Sequence, residues 1–345
     1  MRAIDIEYLE EGQKLAKPVY DEAGRILLHK GATIKKTYIA RLRELGIPFV
    51  YIEDELVGPL EAEELIHDSV RTHAIKIIKN TVEKSIITKE IDLKQIHEVV
   101  NKIIDDILSS SGLLVSFLDI RSQNLHLYNH SVSVAVLSII TGMVLQLDQL
   151  KLKHLGMGAI LHDIGKGIDP GEEHTTIGFD LLRQNEEVNL TVAHVAYQHH
   201  ERYDGLGFPR QLRGEQIHLF AAITGVANFY DNLVAPKDMN KRLFPYQAIE
   251  RVVAESGRMF HPKVVMAFTR NIAPYPIGSL VRLNTGHLGV VIGLHENYPT
   301  RPIIKVVTDK FGGLQNVFPE IDLLEEKTIF IKDIITEQER KRLGI

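Results

Sequence analysis

The chain has 345 residues, 44% hydrophobic and 25% charged, a balance typical of folded globular proteins and enough for two or three domains. Forty lysines and arginines against 45 acidic residues leave a formal charge of −5, which excludes a global positive field for binding a nucleic-acid polymer. The absence of cysteine excludes disulfides, thiolate metal sites and a cysteine nucleophile.

Two segments argue against secretion and against a membrane span. Residues 1–7 include acidic side chains where a signal peptide has a basic start and an apolar run. The longest uncharged stretch, residues 131–147, contains Ser, Thr, Gly and Gln and is shorter than the ~20 apolar residues of a bilayer span. We therefore predict a cytoplasmic protein without a membrane partner, in which residues 131–147 form a buried core helix.

Residues 1–58 have the pattern of a small α+β module. Strands are predicted at 15–20, 26–29 and 49–52, with a turn at 21–24. Apolar residues at helical spacing after Thr33 predict a short helix, which Gly46 ends. Nothing in this module's sequence indicates catalysis.

Residues 59–112 have helical periodicity, with narrow apolar faces that include Leu93, Ile96, Val100 and Ile104. These helices either pair between subunits, which would give a homodimer, or pack on the next domain. A Ser-Ser-Ser-Gly joint at 109–112 separates them from residues 113–272, where helical periodicity continues.

After Pro274 and Pro276 the pattern changes to short runs typical of strands, at 280–283, 290–294, 303–307 and 329–331. Turns are predicted at 284–286 and 312–313. Residues 273–345 are therefore predicted to form a small β-barrel-like module.

The central segment carries the candidate chemistry. His162 and Asp163 follow several small residues at the end of a predicted helix, and adjacent helical side chains project roughly 100° apart, so both can reach one cation. Further candidate ligands are His130, His174, His199 and His200. Alone, each histidine has an ordinary reading as a buried or surface residue. Together, five imidazoles and a carboxylate exceed the three protein ligands of one open catalytic zinc, which predicts two ions bridged by Asp163.

These segments resemble the HD-GYP family of the HD-domain metal-dependent phosphohydrolase superfamily. The resemblance covers about 113–270 and rests on His130-Ser, His162-Asp-Ile-Gly-Lys and the run from His199 to Pro209. It implies an all-helical domain, two or three divalent transition metal ions, above all Fe or Mn, and hydrolysis of cyclic di-GMP to a linear dinucleotide or GMP.

Carried over by position, the resemblance implies six metal ligands, namely His130, His162, Asp163, His174, His199 and His200. Lys166 falls where a lysine faces the substrate phosphate, which makes Asp163 and Lys166 the candidate catalytic pair; the alternative for Lys166 is a salt bridge within its turn. Gly205 and Phe208 fall in a loop that either approaches the substrate or only makes a turn.

The chain departs from the family in four places. Phe208 replaces the tyrosine of Gly-Tyr-Pro, which keeps the ring but loses the hydroxyl. Asn228 stands where the family carries a ligand aspartate, and a neutral amide is a poorer metal ligand. The segment between Lys166 and His174 is short, which predicts a more open entrance to the candidate active site. Lys237 and Asn240 stand where the family has two basic phosphate-binding residues, so one charge is missing.

His126 lies four residues before His130 and would share its helix face. It is either a ligand of a third metal ion or an ordinary hydrogen-bonded histidine.

The predicted fold is multidomain, with a central all-α HD-type helical domain between a small N-terminal α+β module and the C-terminal β-barrel-like module. The main functional hypothesis is a metal-dependent phosphodiesterase that hydrolyses cyclic di-GMP through a metal-activated water at a dinuclear centre. The alternatives are a phosphohydrolase of another dinucleotide or nucleotide, and a non-catalytic signalling module that binds a nucleotide or a partner protein.

Overall fold

A computed structural model describes residues 1–21, 25–58, 65–110, 114–115, 125–238, 241–309, 313–315 and 317–345. The chain forms two compact units: a helical unit of Glu64–Leu113 and Leu125–Asn271, and a terminal unit of Met1–Glu63, Leu114–Asn124 and Ile272–Ile345. The predicted boundaries of four domains, after residues 58, 112 and 272, stay a prediction. The predicted joint at 109–112 and the turns at 21–24 and 312–313 lie partly outside the described residues.

In chain order the strands and helices are β1 (Arg2–Asp5), β2 (Val19–Tyr20), β3 (Ile26–Leu28), α1 (Lys36–Glu44), β4 (Phe49–Ile52), α2 (Asp68–Thr88), α3 (Leu93–Ser109), α4 (His126–Val144), α5 (Gln149–Ile160), α6 (His174–Arg183), α7 (Leu190–Gln198), α8 (Leu219–Val234), α9 (Pro245–Ala254), α10 (Pro262–Thr269), β5 (Leu280–Leu283), β6 (Leu288–Gly293), β7 (Ile303–Val306), β8 (Glu320–Asp322), β9 (Ile331–Ile334) and α11 (Glu337–Leu343). Short 3-10 turns lie at Ile164–Gly167 and Gly214–Gln216.

The N-terminal part of the terminal unit is a small α+β arrangement. β1 pairs antiparallel with β4, and β2 pairs antiparallel with β3. Leu42 of α1 lies in the same buried cluster as Ile4 and Val50. The sequence pattern missed β1, because a four-residue strand with Arg2 and Asp5 at its ends shows too little alternation.

The C-terminal part is a five-stranded antiparallel sheet in the order β8-β7-β6-β5-β9. The prediction of a barrel is wrong, because the edge strands β8 and β9 do not pair with each other in the described part of the chain. These edge strands have only three and four residues, and barrel closure needs a consistent stagger around all strands. Short strands separated by turns are typical of both open sheets and barrels, so their pattern could not predict closure.

Both chain ends contribute to one core in the terminal unit. Val57 packs in the buried cluster that contains Leu280, Leu288 and Ile335. Ion pairs reinforce this contact, since the side chain of Asp54 bonds to Arg2 and Arg340. The first 58 residues and the C-terminal sheet therefore stabilise each other.

The helical unit is built around α4. This helix is long and apolar enough to resemble a membrane span, but 78% of its most apolar window is buried inside the protein. It packs against α2, α5, α8 and α10. The burial of its residues from Asn129 to Gly142 confirms the expected core helix, which ends at Val144, three residues before the predicted end at 147.

Small residues on α5 allow close helix packing, as the sequence indicated. A Cβ atom on Gly158 would come within 2.6 Å of Val195 on α7, and one on Gly156 would come within 2.7 Å of Val100 on α3. This packing brings the C-terminal end of α5 beside the end of α7, where the candidate ligands lie.

Candidate metal centre

Four structural segments bring the predicted ligands together in the helical unit. α4 contributes His130, the segment after α5 contributes His162 and Asp163, the start of α6 contributes His174, and the residues after α7 are His199 and His200. These side chains are buried or nearly so; His162 and Asp163 are 0% and 2% exposed. Residues far apart in sequence therefore converge on one buried point.

The ligand atoms form two groups that share Asp163. One group consists of Asp163, His174, His199 and His200, and the other consists of His130, His162 and Asp163, with all ligand atoms of a group within 4.8 Å of one another. Oδ2 of Asp163 faces the Nε2 atoms of His162 at 3.2 Å and of His130 at 3.7 Å. Oδ1 faces the Nε2 atoms of His174 and His199, each at 3.5 Å. Each carboxylate oxygen thus serves a different group, as a bridging ligand would.

Hydrogen bonds at Nδ1 set the orientation of the rings. Three imidazoles donate from Nδ1 to backbone carbonyls: His162 to Ala159 at 2.7 Å, His174 to Gly171, and His199 to Ala196 at 2.9 Å. His130 donates from Nδ1 to Oδ2 of Asp231 at 2.7 Å. These bonds leave Nε2 of each ring directed at Asp163, which is how proteins usually orient metal-binding histidines.

Two atoms at the centre lack hydrogen-bond partners within the described residues. They are Nε2 of His162 and Oδ1 of Asp163, and both are buried. A buried polar atom without a partner is costly. A lone pair of imidazole and a carboxylate oxygen directed at the same point are the donor set of a divalent transition metal, so the residues present fit such an ion.

The electrostatics of the site keep these groups in the forms that bind metal. Burial alone would raise the pKa of Asp163, but neighbouring positive charge, which includes the ammonium of Lys166 at 2.7 Å from Oδ2, holds it well below its usual value. Burial lowers the pKa of His199 to about 4, and it also lowers the pKa values of His174 and His200. At pH 7 the carboxylate is charged and these imidazoles are neutral, with lone pairs free for coordination.

Gly165 lets the turn after Asp163 lie against α6. A Cβ atom at Gly165 would come within 2.1 Å of the backbone oxygen of His174. That distance is far below any real contact, so only glycine fits without moving α6. The glycine of the His-Asp-Ile-Gly-Lys segment therefore fixes the spacing between Asp163 and His174.

The loop after His200 covers one side of the site. The ring of Phe208 stacks on His200, with centroids 4.7 Å apart and planes at 21°. A Cβ atom at Gly207 would come within 2.4 Å of the Arg202 backbone nitrogen, and Gly205 has a φ of +80°. The buried Glu201 carboxylate accepts hydrogen bonds from two backbone N–H groups of this loop, those of Arg210 at 2.7 Å and Leu212 at 2.9 Å. These contacts hold Phe208 against the ring of His200.

The remaining predicted site residues occupy different surroundings. Lys166 donates to Oδ2 of Asp163 at 2.7 Å, the salt bridge that the sequence left as an alternative. Asn228 lies beside the second ligand group, with Oδ1 2.9 Å from Nε2 of His130. Nε2 of His126 donates to the Ala235 carbonyl at 3.0 Å, and His126 belongs to neither group. Lys237 is exposed just beyond α8, and Asn240 lies outside the described residues.

Sequence reasoning missed two supporting residues, Asp231 and Glu201. Asp231 bonds a histidine 101 positions away, and Glu201 reaches backbone groups 9 and 11 positions away. A carboxylate directly after a ligand pair, as in His199-His-Glu, was the visible signal for Glu201. The spacing of Asp231 to Asn228 was visible too, but its partner on α4 was not.

Comparison with known proteins gives two matching family models. A model described as HD domain matches residues 168–264, which include His174, His199 and His200. A model described as KOW domain associated with HD domain matches residues 280–343, the region of the five-stranded sheet.

Two similar proteins are cyclic di-GMP phosphodiesterases. A cyclic di-GMP phosphodiesterase of Pseudomonas aeruginosa is 31% identical over 233 residues, which cover 63% of this chain and 56% of that protein. A cyclic di-GMP phosphodiesterase of Thermotoga maritima is 27% identical over 239 residues, or 63% of this chain and 65% of that protein. The central region therefore contains an HD domain, at residues 168–264.

A third relative acts on a different cyclic dinucleotide. A 3'3'-cGAMP-specific phosphodiesterase of Vibrio cholerae is 34% identical over 113 residues, 31% of this chain and 22% of that protein. The chain spans less than two thirds of the length of each of these three relatives. HD-domain phosphohydrolases bind divalent metal ions, and the two groups of His and Asp side chains in this chain have the composition such ions require.

Proposed function

We propose that this protein is a metal-dependent phosphodiesterase that hydrolyses cyclic di-GMP. The observation that carries the proposal is the buried Asp163 carboxylate, whose two oxygens face two separate groups of imidazoles. A shared carboxylate between two ligand groups is the arrangement of two-metal phosphoryl-transfer sites. The cyclic di-GMP phosphodiesterases among the relatives support the substrate.

The metal centre is proposed to hold two ions, with iron or manganese favoured by the imidazole and carboxylate donors. His130, His162 and Asp163 would hold one ion, and Asp163, His174, His199 and His200 would hold the other. Bound divalent ions supply a water that is deprotonated near neutral pH and neutralise charge on the phosphoryl group. A third ion at His126 has no support from its geometry, because Nε2 of that ring already bonds to a carbonyl.

Protein side chains would do the remaining work. The ammonium of Lys166 fixes Asp163, and its side chain is 26% exposed, so it can also reach a phosphate oxygen of a bound substrate. Asp231 holds the Nδ1 proton of His130 and so keeps Nε2 available. Phe208 shields one face of the His200 ring from water. The exposed Lys237 would add a charge for the second phosphate.

A phosphohydrolase of another cyclic dinucleotide is the second candidate. The relative specific for 3'3'-cGAMP and the replacement of the family's tyrosine by Phe208 favour testing it. A non-catalytic role would not explain why so many candidate metal ligands are buried together. Nucleotide binding without turnover would reveal such a role.

We also propose that the protein is cytoplasmic and that it forms a homodimer through residues 59–112. A partner would cover exposed apolar side chains at the two ends of this helix pair, Ile87 on α2 at 82% exposed and Leu108 on α3 at 60% exposed. Sedimentation of the protein and of Ile87→Glu would measure the association.

The test is hydrolysis by anaerobically purified protein loaded with Fe²⁺ or Mn²⁺, with the metal content of the same sample determined. Cyclic di-GMP and 3'3'-cGAMP are compared, and His162→Ala is the control. Cyclic di-GMP turnover at about two metals per chain, lost in the variant, would support the proposal. Faster turnover of 3'3'-cGAMP would favour the second candidate, and full metal occupancy without turnover of either would reject both.

A further inference from the structure

Asn228 and Asn232 form a linked pair on α8. Asn228 is 4% exposed, whereas Asn232, one turn later, lies at the surface. Nδ2 of Asn232 donates to the backbone oxygen of Asn228 at 2.9 Å and to its side-chain Oδ1 at 2.7 Å. One amide group therefore contacts both oxygens of the residue that borders the metal centre.

These two hydrogen bonds determine which end of the Asn228 amide faces the centre. The two ends of an asparagine amide have nearly the same shape but opposite roles, one accepting and the other donating. A backbone carbonyl can only accept, so Asn232 must direct its NH₂ group toward Asn228. The Asn228 side chain must then place Oδ1, not Nδ2, at that point. An amide turned the other way would direct N–H groups at the place of a cation.

The orientation of the Asn228 amide matters because His130 lies on the side of Asn228 away from Asn232. Oδ1 of Asn228 lies 2.9 Å from Nε2 of His130, whose Nδ1 proton is held by Asp231. In a neutral imidazole that donates from Nδ1, Nε2 is an acceptor. Two acceptors, Oδ1 of Asn228 and Nε2 of His130, then face each other. A third acceptor, Oδ2 of Asp163, lies 3.7 Å from Nε2 of His130. A cation is the partner that satisfies all three atoms.

We propose that Asn232 is a positioning residue of the metal centre, which holds Asn228 with Oδ1 directed at the ion shared with His130, His162 and Asp163. The inference rests on the proposed function, since it assumes that this centre binds metal. In this inference the surface side chain of Asn232 orients the neutral amide of Asn228 so that its oxygen can serve as a metal ligand.

The test measures metal binding directly, by calorimetric titration of Mn²⁺ into metal-free full-length protein. Four proteins are compared: wild type, Asn232→Ala, Asn228→Ala and the double variant. Asn232→Ala is expected to weaken one Mn²⁺ binding event by about tenfold and to leave the other unchanged, as for the loss of an outer hydrogen-bond partner of a ligand. The double variant is expected to bind no more weakly than Asn228→Ala alone, because Asn232 acts through Asn228.

Asn80→Ala is the matched control, because Asn80 is also an exposed helical asparagine, on α2. Circular dichroism of the metal-free proteins checks that each variant folds. Unchanged Mn²⁺ affinity in Asn232→Ala, or a loss that adds fully to that of Asn228→Ala, would overturn the inference.

The readout separates this inference from the proposed function. Wild-type protein that binds two Mn²⁺ ions but hydrolyses no cyclic dinucleotide would reject the proposed function while the binding test of Asn232 still stands. Wild-type protein that binds no Mn²⁺ would overturn both.

Discussion

Two carboxylates with little exposure lie in very different surroundings: the side chain of Asp54 in the terminal unit is 7% exposed, and that of Asp163 in the helical unit is 1% exposed. Oδ2 of Asp54 accepts from Arg2 at 2.6 Å and from Arg340 at 2.7 Å, and Oδ1 accepts from the backbone N–H of Leu56 at 2.9 Å. Oδ1 of Asp163 has no hydrogen-bond partner in the described part of the chain. Both carboxylates have lowered pKa values despite burial, so charge alone does not distinguish them.

The difference lies in how completely each carboxylate is satisfied. Asp54 is surrounded by donors from the protein, which is what a structural ion pair requires. Asp163 is surrounded by imidazole lone pairs directed inward. Oδ1 of Asp163 and Nε2 of His162 therefore need a cation as their partner. A buried charge whose partners are incomplete therefore indicates a ligand, and one whose partners are complete indicates a structural role.

The largest expected effect is that of Asp163→Asn, which tests the incomplete site. Turnover and the binding of both Mn²⁺ ions should fall by more than about a hundredfold, because even loss of an outer partner of a ligand costs 10–100-fold. The metal-free variant should melt at the same temperature as wild type or higher, since it loses a buried charge without complete partners. A hydrolysis assay, calorimetric Mn²⁺ titration and thermal unfolding measure the three quantities; a strongly destabilised metal-free variant would contradict the comparison.

The next effect is that of Gly165→Ala, which tests the geometry around Asp163. The added methyl would meet the His174 backbone oxygen, so α6 must move and metal binding at the group of His174 should be lost. Gly178→Ala on the same helix is the matched control, because its nearest contacts would be ordinary ones at 3.4 Å. Mn²⁺ titration of both proteins measures the effect. Equal affinity in the two variants would show that the turn does not set the site.

These two positions also show what the sequence could predict. The His-Asp-Ile-Gly-Lys segment and the histidines before and after it predicted all the residues of the two ligand groups, because metal ligands are recognisable by type and local spacing. Asp231 was missed, since its contact with His130 depends on how α8 packs against α4. The strand at Leu280–Leu283 was predicted with its observed bounds. The open sheet was not, because closure depends on pairing between strands and not on the pattern within each strand.

A smaller effect is expected from Asp54→Asn, which tests the satisfied site. The free energy of unfolding of the terminal unit should fall by about 3 kcal/mol, because the buried Arg2 and Arg340 would lose the carboxylate that they share and only Glu337, paired with Arg2, would remain. Mn²⁺ affinity should be unchanged. Denaturant unfolding followed by hydrogen exchange of the β5 and β6 amides measures the loss, and exposed Asp333→Asn in the same unit is the control. Loss of metal binding in Asp54→Asn would remove the distinction between the two carboxylates.

The smallest effect is the pH dependence that Asp54 gives to the terminal unit. Burial alone would raise the pKa of Asp54, but Arg340 and Arg2 lower it below its usual value. A carboxylate with a lowered pKa in the folded state contributes stability above its unfolded pKa of about 3.9. This stability is lost as the pH falls through the lower, folded pKa. The stability difference between wild type and Asp54→Asn should therefore be constant from pH 7 to about 5 and shrink below about pH 4.

Unfolding of both proteins by urea at a series of pH values, followed by the same β5 and β6 amides, measures this difference. Using the difference cancels the titration of every group that the two proteins share, Asp163 included, provided the groups are uncoupled. A difference that stays constant down to pH 3 would mean that Asp54 contributes through its shape and hydrogen bonds rather than its charge. The contrast with Asp163 would then be one of packing, because the satisfied carboxylate would no longer need its ionised form.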